Sequence, residues 1–182
     1  MTIDADKHLA FAQGGALWSD FNQATVEHGF AGVSGTADHT GIGGLITGGG
    51  YGFLTGQYGL TIDNLVEVTM VVADGRIVKA SETENSDLVW GVRGATISFR
   101  KLILGCGSSF GVVYEFVVRI YPHRGTCFGG FMVLTPDKIP DVVAAFNNFW
   151  DKVQPDSSCH VVVSAMPPEN QVRQFIAFSD YT

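Results

Sequence analysis

Twelve of the 23 glycines in this 182-residue chain fall between Gly29 and Gly59. Glycine loses more backbone freedom on folding than any other residue. A cluster this dense is kept where the main chain must turn left-handed or approach something closely. The densest run is Gly41-Ile42-Gly43-Gly44-Leu45-Ile46-Thr47-Gly48-Gly49-Gly50-Tyr51-Gly52. It predicts a loop from Gly35 to Gly59, with a short helix near Gly52–Tyr58. Clustered backbone N–H groups of this kind suit an anionic ligand, phosphate above all. Two phosphate loops are excluded by the residues themselves. No Gly-Lys dipeptide exists, which removes the P-loop. The dinucleotide pattern G-x-G-x-x-G meets Ile46, Phe53 or Thr55 where its third glycine belongs. A tight glycine-rich loop without a ligand remains the alternative that composition leaves open.

The rest of the chain mixes strands and helices. Residues 7–13 read as a strand, broken by Gly14-Gly15. Residues 16–28 read as a helix with Leu17, Phe21, Ala24 and His28 near one face, stopped by Gly29. Residues 65–81 alternate apolar and polar about Asp74-Gly75, a hairpin signal. A short helix is expected over 84–92 and a strand over 110–121, closed by Pro122. Another strand is expected at 126–134, a helix from Thr135 to about Lys152, and strands at 160–165 and 172–178. Hairpin-like pairs with interspersed helices argue for an α+β fold.

The bulk properties narrow the partners. A net charge of −7 and the lack of any Lys/Arg run argue against nucleic acid. No apolar run approaches the roughly 18 residues of a membrane span. The polar start Met1–Lys7 is not a signal peptide, which makes a cytoplasmic location the default expectation. Cys106, Cys127 and Cys159 match no zinc spacing and read as buried or free thiols, so no metal site is expected. A small molecule is the expected partner.

Five ordered blocks carry a resemblance. Gly35-Thr36-Ala37-Asp38-His39-Thr40-Gly41-Ile42-Gly43-Gly44, continuing to Gly52, is similar to the flavin-contacting loop of the berberine-bridge-enzyme-like and vanillyl-alcohol-oxidase flavoproteins. The match continues through Tyr58–Leu65, Ala73–Arg76, Glu84–Trp90 and Ser109–Val113. The resemblance implies a PCMH-type FAD-binding domain, in its second α+β subdomain, over residues 1–122. The start of an α+β substrate-binding domain would occupy 123–182. It implies FAD as cofactor and hydride transfer from a small-molecule substrate to flavin. The alternative is a truncated, non-catalytic homologue that holds flavin weakly or not at all. Carried over residue by residue, the cofactor contacts are His39, Thr40, Gly41, Gly43, Gly44, Gly48, Gly49, Gly50, Tyr51 and Gly52. Asn64 would fix the neighbouring backbone, and the main chain at Val112 and Val113 would meet the adenine side. No catalytic residue is assigned.

The chain also departs from that family. Where some members carry a flavin-linking cysteine, this sequence has Ala37, so a cysteinyl bond is impossible there. The earlier Arg/Gly/His-rich segment of other members would precede Met1. The family's usual catalytic base would lie beyond the matched region, so a fragment is expected. Thr96–Cys106 interrupts a tight glycine turn, and a retained intron or gene-model error is the leading reading, with a surface loop as rival.

Overall fold

The computed structural model describes residues 1–94, 109–123, 125, 127–155, 157–166 and 171–181; the suspected insertion Thr96–Cys106 lies outside them. The chain forms two compact units, Met1–His123 and Arg124–Thr182.

The first unit is built on one antiparallel sheet in the order β1-β2-β6-β4-β5, with β3 also paired to β6. Its strands are β1 (Thr2–Asp4), β2 (Leu9–Gln13), β3 (Phe30–Gly32), β4 (Leu65–Val71), β5 (Ile77–Ser81) and β6 (Val112–Pro122). The Val- and aromatic-rich β6 is the hub, since β2, β3 and β4 all pair with it. Phe116, Val117 and Val118 are buried in succession, and Ile120 is buried beyond the exposed Arg119. β4 and β5 form the expected hairpin. Its turn closes through Val72 N donating to Arg76 O (3.0 Å) and Gly75 N donating to Val72 O (2.9 Å), with Gly75 at φ +84°. The glycine supplies the left-handed residue that a side chain resists.

The helices are α1 (Trp18–Glu27), α2 (Ile42–Thr47), α3 (Thr55–Tyr58) and α4 (Ser86–Arg93). Trp18, Phe21, Ile42, Ile46, Val68, Met70 and Phe116 meet in one core. Burying each such large side chain contributes about 1.5–3 kcal/mol. At the start of α1, the Asp20 carboxylate accepts the Leu17 N–H at 3.2 Å. Gly29, at φ +78°, follows its end.

Three local expectations need correction. The buried face of α1 is Trp18, Phe21 and Thr25, not the face of Leu17, which is exposed. β1 and β3 are strands of three residues each, too short for a periodicity to show. The glycine segment is not all loop. Ile42 and Ile46, one helical turn apart, are fully buried and pin α2 to the core. Tertiary packing overrides the poor helix propensity of Gly43 and Gly44.

The second unit holds β7 (Cys127–Leu134), α5 (Ile139–Trp150), β8 (Ser158–Met166) and β9 (Gln171–Tyr181). Its sheet runs β7-β9-β8, antiparallel throughout. Pro140 occupies the first turn of α5, where a missing N–H is harmless. Val142, Phe146 and Phe149 border a cavity of about 350 Å³ that also touches Cys159. Burial pushes the Cys159 thiol up. Among the described residues no helix is long and apolar enough to cross a membrane, and no His/Cys/Asp/Glu group could hold a metal ion.

Candidate functional site

The end of β2, the start of β6 and the first turn of α2 converge on Gly14. Its N–H donates to Tyr114 O at 2.8 Å. A Cβ there would lie 3.5 Å from the Tyr114 Cα and closer still to the Val113 carbonyl. On the other side, a Cβ at Gly43 would lie 3.1 Å from Gly14 O and 3.5 Å from the Phe116 ring. Only glycines let three stretches of backbone stack this closely. Beside this stack lies a cleft of about 530 Å³ lined by Gln13, Gly14, Gly15, Val112, Val113 and Tyr114. Val112 is 72% exposed and Tyr114 44%. An apolar strand start left open beside a cleft suits a flat, partly apolar ligand.

Gly41 and Gly44 differ from Gly43. A Cβ at either would meet nothing within 4 Å. Both residues are exposed. The first N–H groups of a helix have no partner within the helix. Among the described residues no group accepts from the amides of Gly41, Gly43 or Gly44. The preceding turn is held by Thr40 Oγ1 donating to Ala37 O at 2.6 Å and by Trp18 N donating to Thr40 O at 3.0 Å. His39 is exposed at its outer edge. The open space at Gly41 and Gly44, with the amides of Gly41, Gly43 and Gly44 unengaged among the described residues, suits a negatively charged group.

The later glycines serve the protein itself. Gly48 N donates to Gly44 O and Leu45 O, Gly49 N to Ile46 O, and Gly52 N to Thr55 Oγ1. Gly49 and Gly50 take φ of +102° and +74°. Their carbonyls accept from Ile62 N (2.9 Å) and Thr61 N (3.1 Å). A Cβ at Gly50 would strike Thr61, and one at Gly52 would strike the Ser34 carbonyl. Tyr51, between them, is 52% exposed. The amides of Gly48, Gly49 and Gly52 are therefore engaged within the chain.

Asn64 is 3% exposed, and its side chain is fully used. Nδ2 donates to Tyr58 O (3.1 Å) and Leu60 O (2.9 Å), while Oδ1 accepts from the Tyr121 hydroxyl at 2.6 Å. It fixes the backbone at Tyr58 and Leu60, and both of its polar side-chain atoms have partners within the chain.

Residues 1–81 match the model of a family described as FAD binding domain. The chain carries an FAD binding domain. FAD is the cofactor of that family, and the α+β PCMH-type fold expected from the motifs is the one observed. An FAD-linked oxidoreductase of Aspergillus terreus, pgmH, is 42% identical over 147 residues, 81% of this chain and 27% of that protein. The (R)-6-hydroxynicotine oxidase of Paenarthrobacter nicotinovorans is 32% identical over 159 residues, 84% of this chain and 32% of that one. The crystal structure of 6-hydroxy-D-nicotine oxidase from Arthrobacter nicotinovorans superposes with a TM-score of 0.82 at 25% identity, covering all of this chain and 38% of the other. The chain thus spans about a quarter to a third of the length of these curated relatives.

In this FAD binding domain the structure brings Gly43 and Val113 together through Gly14, residues far apart in sequence. In the sequence Gly14-Gly15 reads only as a chain break. A glycine pair closing a strand was the available signal, but nothing local told which backbone it would meet. Trp90 is 56% exposed on α4. Asp63 caps its own turn by accepting Leu60 N at 2.8 Å. His8 and His28 are exposed. His8 packs its ring 5.0 Å from Phe30, and His28 Nδ1 lies 2.8 Å from Ala24 O.

Proposed function

We propose that this chain is the flavin-holding part of an FAD-dependent oxidoreductase of the berberine-bridge-enzyme-like class, one that passes a hydride from a small-molecule substrate to the flavin. The observation that carries the reading is the cradle: the unengaged amides of Gly41, Gly43 and Gly44 with open space at Gly41 and Gly44, joined through Gly14 to the cleft at Val112–Val113. When bound, FAD supplies the redox chemistry, and the protein supplies position and electrostatics. The amides of Gly41, Gly43 and Gly44 hold negative charge at the first turn of α2, with His39 and Thr40 on the flanking turn. The main chain of Val112 and Val113 and the side chain of Gln13 border the flat part of the ligand. Gly48, Gly49, Gly50 and Gly52 act on the site by shaping the end of α2, with Tyr51 exposed beside them. With Ala37 in the flanking turn, the cofactor is held here without a cysteinyl bond. Residues 1–122 serve the flavin, and residues 123–182 belong to the substrate-binding part.

A second reading, a homologue that does not turn over and holds flavin weakly or not at all, is favoured by the amides of Gly48, Gly49 and Gly52, which are already engaged within the chain. One preparation separates the two. The purified chain, mixed with FAD and freed of excess, is expected to keep visible bands near ~370 and ~450 nm. A folded, colourless protein after that treatment supports the second reading.

A further inference from the structure

We propose that Tyr121 is a positioning residue for flavin binding, acting through Asn64; the inference rests on the cofactor reading above. Tyr121 lies nine residues along β6 from Val112, about 30 Å at the rise of a strand. It therefore cannot touch the cleft at the start of β6. It is tied instead to the other end of the glycine segment. Its ring stacks on Tyr58 with centroids 3.6 Å apart and planes 7° from parallel. Its hydroxyl donates to the buried Oδ1 of Asn64. That bond orients the amide so that Nδ2 holds the carbonyls of Tyr58 and Leu60, on either side of Gly59 at φ +77°.

Asn64 closes the 3-10 turn Thr61–Asn64, and the N–H groups at the head of that turn hold Gly49 and Gly50. Those two glycines follow α2. The helix has only six residues, about 9 Å of length, with Ile42 and Ile46 locked in the core. A short rigid helix transmits a shift at its end to its start. The Tyr121 hydroxyl is thus the outermost member of a continuous chain of contacts that ends at the open amides of Gly41, Gly43 and Gly44.

Tyr121→Phe keeps the ring and removes only the hydroxyl. Titration of the whole chain with FAD is expected to show at least fivefold weaker binding for the variant. The visible circular dichroism of the bound flavin should change as well, a signal of cofactor geometry that lost stability alone would not alter. Equal affinity with an identical flavin spectrum overturns the assignment. A wild-type chain that ignores FAD sinks the cofactor reading and this assignment with it. Should the variant fail to fold, the wild type decides. Hydrogen exchange at the Thr61 and Ile62 amides is expected to slow at least fivefold on adding FAD, and unchanged rates despite binding refute the coupling.

Discussion

Two groups of glycines, identical in composition and a few residues apart, have different physical reasons to be glycine. At Gly41 and Gly44 an added methyl group would meet open space. At Gly50 and Gly52 it would run into Thr61 and the Ser34 carbonyl. The first pair has no neighbour within the chain that would exclude a side chain, and is proposed to be glycine for the ligand; the second is glycine for the sake of the chain. A sequence motif that spans both mixes the proposed binding surface with its foundation, and substitution should pull them apart.

The largest effect is expected at the foundation. Gly52→Ala forces a methyl group against main chain that cannot rotate away, which should destabilise the protein by about 3 kcal/mol. Gly50→Ala should follow at about 2 kcal/mol, since its φ of +74° is strained for alanine even before Thr61 is met. Urea unfolding without FAD measures both. Stability equal to wild type in Gly52→Ala would break the distinction between the two groups.

Next in size is Asn64→Ala. It strands the Tyr58 and Leu60 carbonyls and the Tyr121 hydroxyl together. Leaving buried polar groups unpaired costs about 1–3 kcal/mol each, and with partial access to water the sum should come to about 2–3 kcal/mol. The loss should appear in the absence of FAD. A destabilisation visible only with FAD present would make Asn64 a ligand contact after all.

The contrast also shows what the sequence made legible. The β4–β5 hairpin, β6 and α5 were readable because their apolar periods and turn residues are local and agree with each other. α2 was not. Its two isoleucines stand among glycines, and only the core formed by Trp18, Phe116 and Met70 tells the segment to coil. The family blocks pointed to the whole glycine segment, yet they could not divide its glycines. That division depends on Ser34, Thr61 and Gly14, which approach only after folding.

A smaller and opposite effect is expected on the open surface. Gly44→Ala adds helix propensity at an exposed site with nothing to strike, so the protein without FAD should gain about 0.5–1 kcal/mol. The same methyl group stands where the ligand's charged group is proposed to lie. FAD affinity should fall about tenfold, some 1.4 kcal/mol. Opposite signs in one variant are a demanding outcome. Tighter stability with undiminished FAD binding would remove Gly44 from the cradle.

The smallest expected effect is on pH, and it again belongs to the foundation. Burial pushes the Tyr121 phenol above its ordinary value of 10.0; Arg119 on the same strand opposes the shift, and Tyr58 stacked against it adds to it. The neutral phenol is the form that donates to Asn64. Above pH ~10 the unfolded chain releases this proton before the folded one does, so the folded state binds more protons and stability must fall as pH rises. The contribution is whole below the unfolded value and disappears as pH climbs through the raised one. Lys79, held protonated by Glu67, loses its ion pair in the same alkaline range, so wild type alone cannot assign the slope. Tyr121→Phe can, because it retains the Lys79 share and lacks the phenol. The gap in thermal midpoint between wild type and Y121F should narrow from pH 9 to pH 11. A gap of constant width would mean that the Tyr121 proton is not what stiffens the far end of the glycine segment.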